Sequence, residues 1–331
     1  MAEDSLGFCG PLAAMLSEFV LEKRALGYAY TRSTLFRVRE LDKHFSGSRG
    51  RPPAPDEFWG VPFMALRPTE APLTTKQRSC LWRQFALFCR RRGMEAWIPD
   101  AHSLPLCPRD FCPHIYTRAE LRAFFSAVDA LPVPSGFPRR SLEYALLFRL
   151  LYGAGLRISE ALALKIADYD RSSGTFCVRQ GKNRKDRLVP LAAGLRERVE
   201  TYLRDHPSGR DHDYVFASPR HQGRPRSSNA IRRIFCEVLL PKAGIPLRRH
   251  GKGPRIHDLR HTFAVHRMEN WFLNHEDVEA KLPVLAAYMG HTNIRDTYYY
   301  LRITQSFFPE IARRLRDEVG DVIPRVTEGR Q

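Results

Sequence analysis

The sequence predicts a mainly α-helical chain in two domains, with one small antiparallel β hairpin in the second. Three observations point there. Apolar residues recur at helical spacing through the first third of the chain, a proline-dense segment then interrupts them, and two β-prone runs later flank a cationic turn. At 331 residues and 43% hydrophobic composition, the chain can bury two cores, and global disorder is excluded.

In "LAAMLSEFVLEKRALGYAYTRSTLFRVRELDKHF", Leu16, Phe19 and Val20 share one helical face, and Leu35, Val38 and Leu41 share another. Gly27 marks the stop of the first helix, and Thr31 or Ser33 can cap the second. "RGRPPAPDEFWGVPF" reads as a loop, and "TTKQRSCLWRQFALFCRRRG" suggests a further helix pair. The stretch "IPDAHSLPLCPRDFCPHIYTRAEL" has four prolines and little periodicity, so the domain boundary falls there: residues 1–110 form one unit and 113–331 the other. Helical pattern resumes at Thr117, with Glu120 three residues on as a capping box, and continues in "SLEYALLFRLLYGAG". "TFCVRQ" and "RLVPL" then flank the polar turn "GKNRKDR" as a hairpin.

The formal net charge is +17, divided as +4 over residues 1–110 and +13 over the rest. A basic excess spread over both halves points to a polyanionic partner, and nucleic acid is the commonest. Seven cysteines at irregular spacing, with no CxxC pair, oppose both a disulfide framework and a zinc site. The N-terminus lacks the pattern of a signal peptide, and no apolar run approaches a membrane span, so a soluble cytoplasmic protein is expected. There is no GxxxxGK[ST] phosphate loop and no HExxH metal pair; no cofactor is expected.

Four short stretches remain. They are "GAGLRISEAL" with Arg157, "GKNRKDRLVP" with Lys182, "HDLRHTFA" with His257 and Arg260, and "MGHTNIRDTYYYL" with His291. On a helix, His257, Arg260 and His261 occupy i, i+3 and i+4, roughly one face, which suits an anion opposite or else a solvated polar face. Arg157 near a helix start opposes the helix dipole by about 0.3–1 kcal/mol, so an anion or the Glu160 carboxylate is expected beside it.

In this order and spacing, the four stretches resemble the tyrosine recombinase (phage integrase) family over about residues 113–310. The resemblance implies a helical, SAM-like core-binding domain followed by a DNA breaking-rejoining domain. It assigns Arg157, His257, Arg260 and His291 to the scissile phosphate and matches Lys182 to the hairpin lysine. The nucleophile of the family usually lies nine residues after the "GH" histidine, which selects Tyr300. Lys185 and Arg187 match less specific positions and are expected as DNA contacts; His261, Asp258 and Glu160 are expected as supporting residues.

A phenol with an ordinary pKa of ~10 is a weak nucleophile, and fixed guanidinium charge favours its phenolate while gripping phosphate oxygens. The expected reaction is site-specific cutting and rejoining of double-stranded DNA through a 3′-phosphotyrosyl link, without metal or ATP. His257 helps to deprotonate the tyrosine, and Lys182 protonates the departing 5′-oxygen. An integrase or transposase of a mobile element is the leading form. A type IB topoisomerase or an inactive DNA-binding relative is the alternative. The resemblance further implies a homotetramer at synapsis, with the apolar stripe Phe307, Phe308, Ile311 and Leu315 packing either on a neighbouring protomer or on its own domain.

Overall fold

The computed structural model describes residues 6–47, 51–68, 70–101, 112–132, 140–179, 186–204, 213–219, 221, 223–247 and 253–303. The chain divides into two compact units, Met1–Asp110 and Phe111–Gln331. Among the described residues no helix is long and apolar enough to cross a membrane.

Among the described residues, four helices build the first unit. Helix α1 (Ala13–Ala25) ends before Gly27, whose φ of +85° gives the left-handed turn that only glycine adopts cheaply. Helix α2 (Arg32–Ser46) follows Thr31, and the two helices bury the faces read from periodicity. The proline-rich stretch is not all loop. It contains α3 (Glu57–Met64), started by Asp56, whose side chain accepts from the Trp59 amide at 3.2 Å. Trp59 and Phe63 anchor this helix in the core despite Pro62. The expected helix pair is instead one helix, α4 (Pro72–Arg91), with proline at its tolerated first position and no breaker afterwards. Its Trp82, Phe85 and Phe88 fill the core, and Gly60 lets α3 approach, because a Cβ there would stand 2.7 Å from the Trp82 ring. Arg78 is fully buried on the same helix; it donates to the Ala65 carbonyl at 2.7 Å and pairs with Glu70.

The second unit begins with α5 (Arg118–Asp129). Its capping box forms as expected: Thr117 accepts from the Glu120 amide at 3.1 Å, and Glu120 accepts from the Thr117 amide at 2.8 Å. Helix α6 (Arg140–Gly153) is apolar nearly all round and is the centre of the main core, with Tyr144, Leu147, Phe148, Leu150 and Leu151 buried. After the turn at Gly155 comes α7 (Ile158–Ala163). A three-stranded antiparallel sheet follows, ordered β1 (Tyr169–Asp170), β2 (Thr175–Val178) and β3 (Arg187–Pro190), with Phe176 opposite Val189 facing the core. The expected hairpin is therefore present with an added edge strand, while its tip, including Lys182 and Lys185, lies outside the described residues.

Helix α8 (Ala193–Arg204) packs on α6. Helix α9 (Ser228–Ile234) continues through a π turn, Phe235–Leu239, into the short α10 (Leu240–Lys242). Helices α11 (Ile256–Leu273), α12 (Val278–Met289) and α13 (Arg295–Ile303) share a second core of Phe263, Met268, Leu282, Leu285, Met289 and Tyr300. The apolar stripe from Phe307 to Leu315 lies outside the described residues, as does Cys107.

Candidate active site

Glu160 organises the site. It sits in the first turn of α7, where its carboxylate accepts from the Arg157 amide at 2.9 Å and from Arg157 Nη1 at 2.6 Å. Arg187 reaches across from β3 and grips the same carboxylate with both terminal nitrogens, at 3.0 and 2.8 Å. Arg260 Nη1 comes to 3.9 Å. Burial alone would raise the Glu160 carboxyl, but the hydrogen bonds from Arg187 and the Arg157 amide, with both guanidinium charges, bring it down to about 2. Three guanidiniums around one carboxylate leave an excess of two positive charges.

The same three arginines converge on the end of α12. Three consecutive carbonyls, Tyr288, Met289 and Gly290, accept from Arg187 Nε at 2.9 Å, Arg260 Nη2 at 2.6 Å and Arg157 Nη2 at 3.2 Å. The last carbonyls of a helix have no intrahelical donor and carry its negative dipole end, so cations satisfy both needs. Gly290 closes α12 at φ +67°, where a Cβ would stand 2.9 Å from Arg187. Arg260 also donates to the Gly155 carbonyl at 2.5 Å, and Gly155 (φ +59°) has no room for a side chain against the Phe263 ring.

Helix α11 places His257 and His261 one turn apart, their rings edge to face at 4.7 Å. Burial, then the charges of Arg260, Arg255 and Arg157, pulls His257 down to about 4. Burial, then His257 and Arg255, pulls His261 down to about 3, so both imidazoles are neutral at neutral pH. Helix α13 brings in the tyrosines. Tyr298 is exposed, Tyr299 is half-buried, and Tyr300 turns inward at 2% exposure. Its hydroxyl lies 3.0 Å from His261 Nδ1, and its ring stacks on His291 at 6.1 Å. Burial pushes this phenol up to about 12, against the pull of Arg260 and Arg157. His291 is held by Thr297, its Nδ1 being 2.6 Å from the Thr297 hydroxyl.

The structure thus brings Arg157, His257, Arg260, His291 and Tyr300 into one cluster. Arg187 is committed to Glu160 and the Tyr288 carbonyl, a role its sequence position did not suggest. Thr297 was not singled out because its side chain meets His291 only in the fold, and the three carbonyls at the end of α12 were invisible because backbone acceptors carry no residue signature.

Arginines and imidazoles thus surround one buried phenol, on helices that precede and follow a three-stranded sheet. The sequence pattern of the phage integrase family matches residues 117–306, more than half of the chain. The chain belongs to the phage integrase family of tyrosine recombinases. An integrase/recombinase of Sinorhizobium fredii, y4rB, is 33% identical over 259 residues, which cover 76% of this chain and 81% of that one. The tyrosine recombinase XerA of Thermococcus onnurineus is 32% identical over 212 residues, 63% of this chain and 66% of that one. Among solved structures, the XerH site-specific recombinase bound to its palindromic difH substrate aligns with a TM-score of 0.62 and 20% identity. That alignment covers 84% of this integrase-family chain and 77% of XerH, and it shows a shared fold.

Proposed function

We propose that this recombinase cuts and rejoins double-stranded DNA at a specific site, with Tyr300 as the nucleophile. The observation that carries the reading is the Tyr300 hydroxyl buried among His261, His291 and the Arg157–Arg260 pair. Arg157 and Arg260 hold the scissile phosphate, since planar guanidinium forks match two phosphate oxygens and stay charged in a buried site. His291, oriented by Thr297, donates to a non-bridging oxygen, and His257 stands beside the phosphate as a neutral imidazole. Lys182 protonates the 5′-oxygen as it leaves, and Lys185 contacts the DNA backbone.

The product is a 3′-phosphotyrosyl link with a free 5′-hydroxyl. Its bond energy stays in the covalent intermediate and drives rejoining, so neither metal nor ATP takes part. Residues 1–110 serve as the core-binding DNA domain and 113–331 as the catalytic domain. Four protomers assemble at synapsis, in the cytoplasm, on behalf of a mobile element.

The test starts with selecting a bound duplex from a random DNA library, then nicking it near the protected centre. Wild-type protein is expected to leave an SDS-resistant adduct, and Tyr300→Phe none, with binding retained. An adduct that persists in Tyr300→Phe and maps to Tyr299 would overturn the assignment. Supercoil relaxation without site preference would favour a topoisomerase instead.

A further inference from the structure

The resemblance gives deprotonation of the nucleophile to His257, the first histidine of "HDLRH", but the geometry favours the second. Resting on the reading of Tyr300 as nucleophile, we propose that His261 takes the phenolic proton as Tyr300 attacks. A general base must lie within hydrogen-bond reach of the proton it removes, and His261 Nδ1 stands 3.0 Å from the Tyr300 oxygen. The ring is fixed from two sides, edge to face against His257 at 4.7 Å and tilted against the Tyr300 ring at 5.5 Å. A neutral imidazole carries one lone pair, and with the proton on Nε2 that lone pair faces the phenol. His261 is neutral at neutral pH because burial, with the charges of Arg255 and Arg260, opposes its protonation. The phenol is held high as well, so Tyr300 keeps its proton until a substrate is present. A phosphodiester brings a negative charge beside the ring and favours the imidazolium.

The step balances. The bond from Tyr300 Oη to phosphorus forms while the Oη–H bond breaks, and the proton passes to His261 Nδ1. The bond from phosphorus to the 5′-oxygen breaks, and that oxygen takes a proton from Lys182. In rejoining, Lys182 recovers its proton from the attacking 5′-hydroxyl, and the imidazolium returns its own to Tyr300.

Two variants separate proton transfer from simple positioning. His261→Phe keeps a ring without an acceptor, whereas His261→Asn keeps an acceptor that takes no proton. Each is assayed in the full chain for single-turnover adduct formation on the selected nicked duplex, with Tyr300 or with a fluorinated, more acidic tyrosine in its place. Both variants are expected to slow the adduct by about 10²-fold or more with DNA affinity nearly unchanged. The fluorinated phenol is expected to recover about tenfold or more in the variants and little in wild type. Wild-type rates in His261→Asn, or no recovery with the acidic phenol, would overturn the proposal. Should Tyr300→Phe still form the adduct, the nucleophile assignment fails instead; if it abolishes the adduct while both His261 variants cleave normally, His261 alone is wrong.

Discussion

At the scale of single residues, Glu160 and two of the histidines of α11, His257 and His261, give the site its acid sensitivity. Glu160 titrates at about 2 in the folded chain against an ordinary 4.5, so its contribution is complete above pH 4.5 and is lost as pH falls toward 2. That difference corresponds to about 3 kcal/mol at most. His257 and His261 act earlier. Their folded values lie below the ordinary 6.5, so the unfolded chain binds more protons, and stability falls as pH drops from 6.5 toward 4 and 3. Urea denaturation from pH 7 to pH 3 is expected to show both losses, and His261→Phe should flatten the upper part of the curve. Glu160→Gln should remove the lower part and cost adduct formation too, because three guanidiniums lose their shared counter-charge.

At the scale of elements, the site depends on where helices end. The turn after α6 offers the Gly155 carbonyl to Arg260, and the end of α12 offers three carbonyls to three arginines. Gly155→Ala puts a Cβ 2.5 Å from the Phe263 ring at a φ of +59°. The backbone conformation alone costs about 1–2 kcal/mol, and displacement of Phe263 adds to it. A fall of more than about 2 kcal/mol in urea stability is expected, with slower adduct formation as Arg260 loses its acceptor. In the first unit, Asp56→Ala removes the cap of α3 and should cost about 1 kcal/mol.

Helix legibility followed local signals. The Thr117 box and the Gly27 stop were readable because cap and turn chemistry sit within four residues of one another. Helix α3 was hidden behind its prolines, since its support comes from Trp59 and Phe63 packing against distant side chains. The break imagined within α4 had no glycine or proline to make it, and the basic residues interleaved there disguised one long buried face.

At the scale of the whole molecule, a net charge of +17 makes DNA affinity depend on counterion release. With six to ten phosphates contacted, binding should fall by about 10³-fold or more between 50 and 200 mM salt, measured by fluorescence anisotropy on the selected duplex. A slope near zero would contradict an electrostatic interface. Each unit has its own buried core, so residues 1–110 produced alone should melt cooperatively.

By itself the sequence determined the residue types, their order and their spacing: two arginines, two imidazoles and a tyrosine nine residues after His291. Those are local or ordered signals, and the backbone period that sets them is fixed. Tertiary structure decided which groups meet. Consecutive tyrosines on α13 are turned by ~100°, and only packing against α11 and α12 sends Tyr300 inward to His261. Packing likewise made Arg187 a partner of Glu160, 27 positions away, and of a carbonyl 101 positions away. Long flexible side chains find such partners through the fold, and no spacing along the chain encodes them.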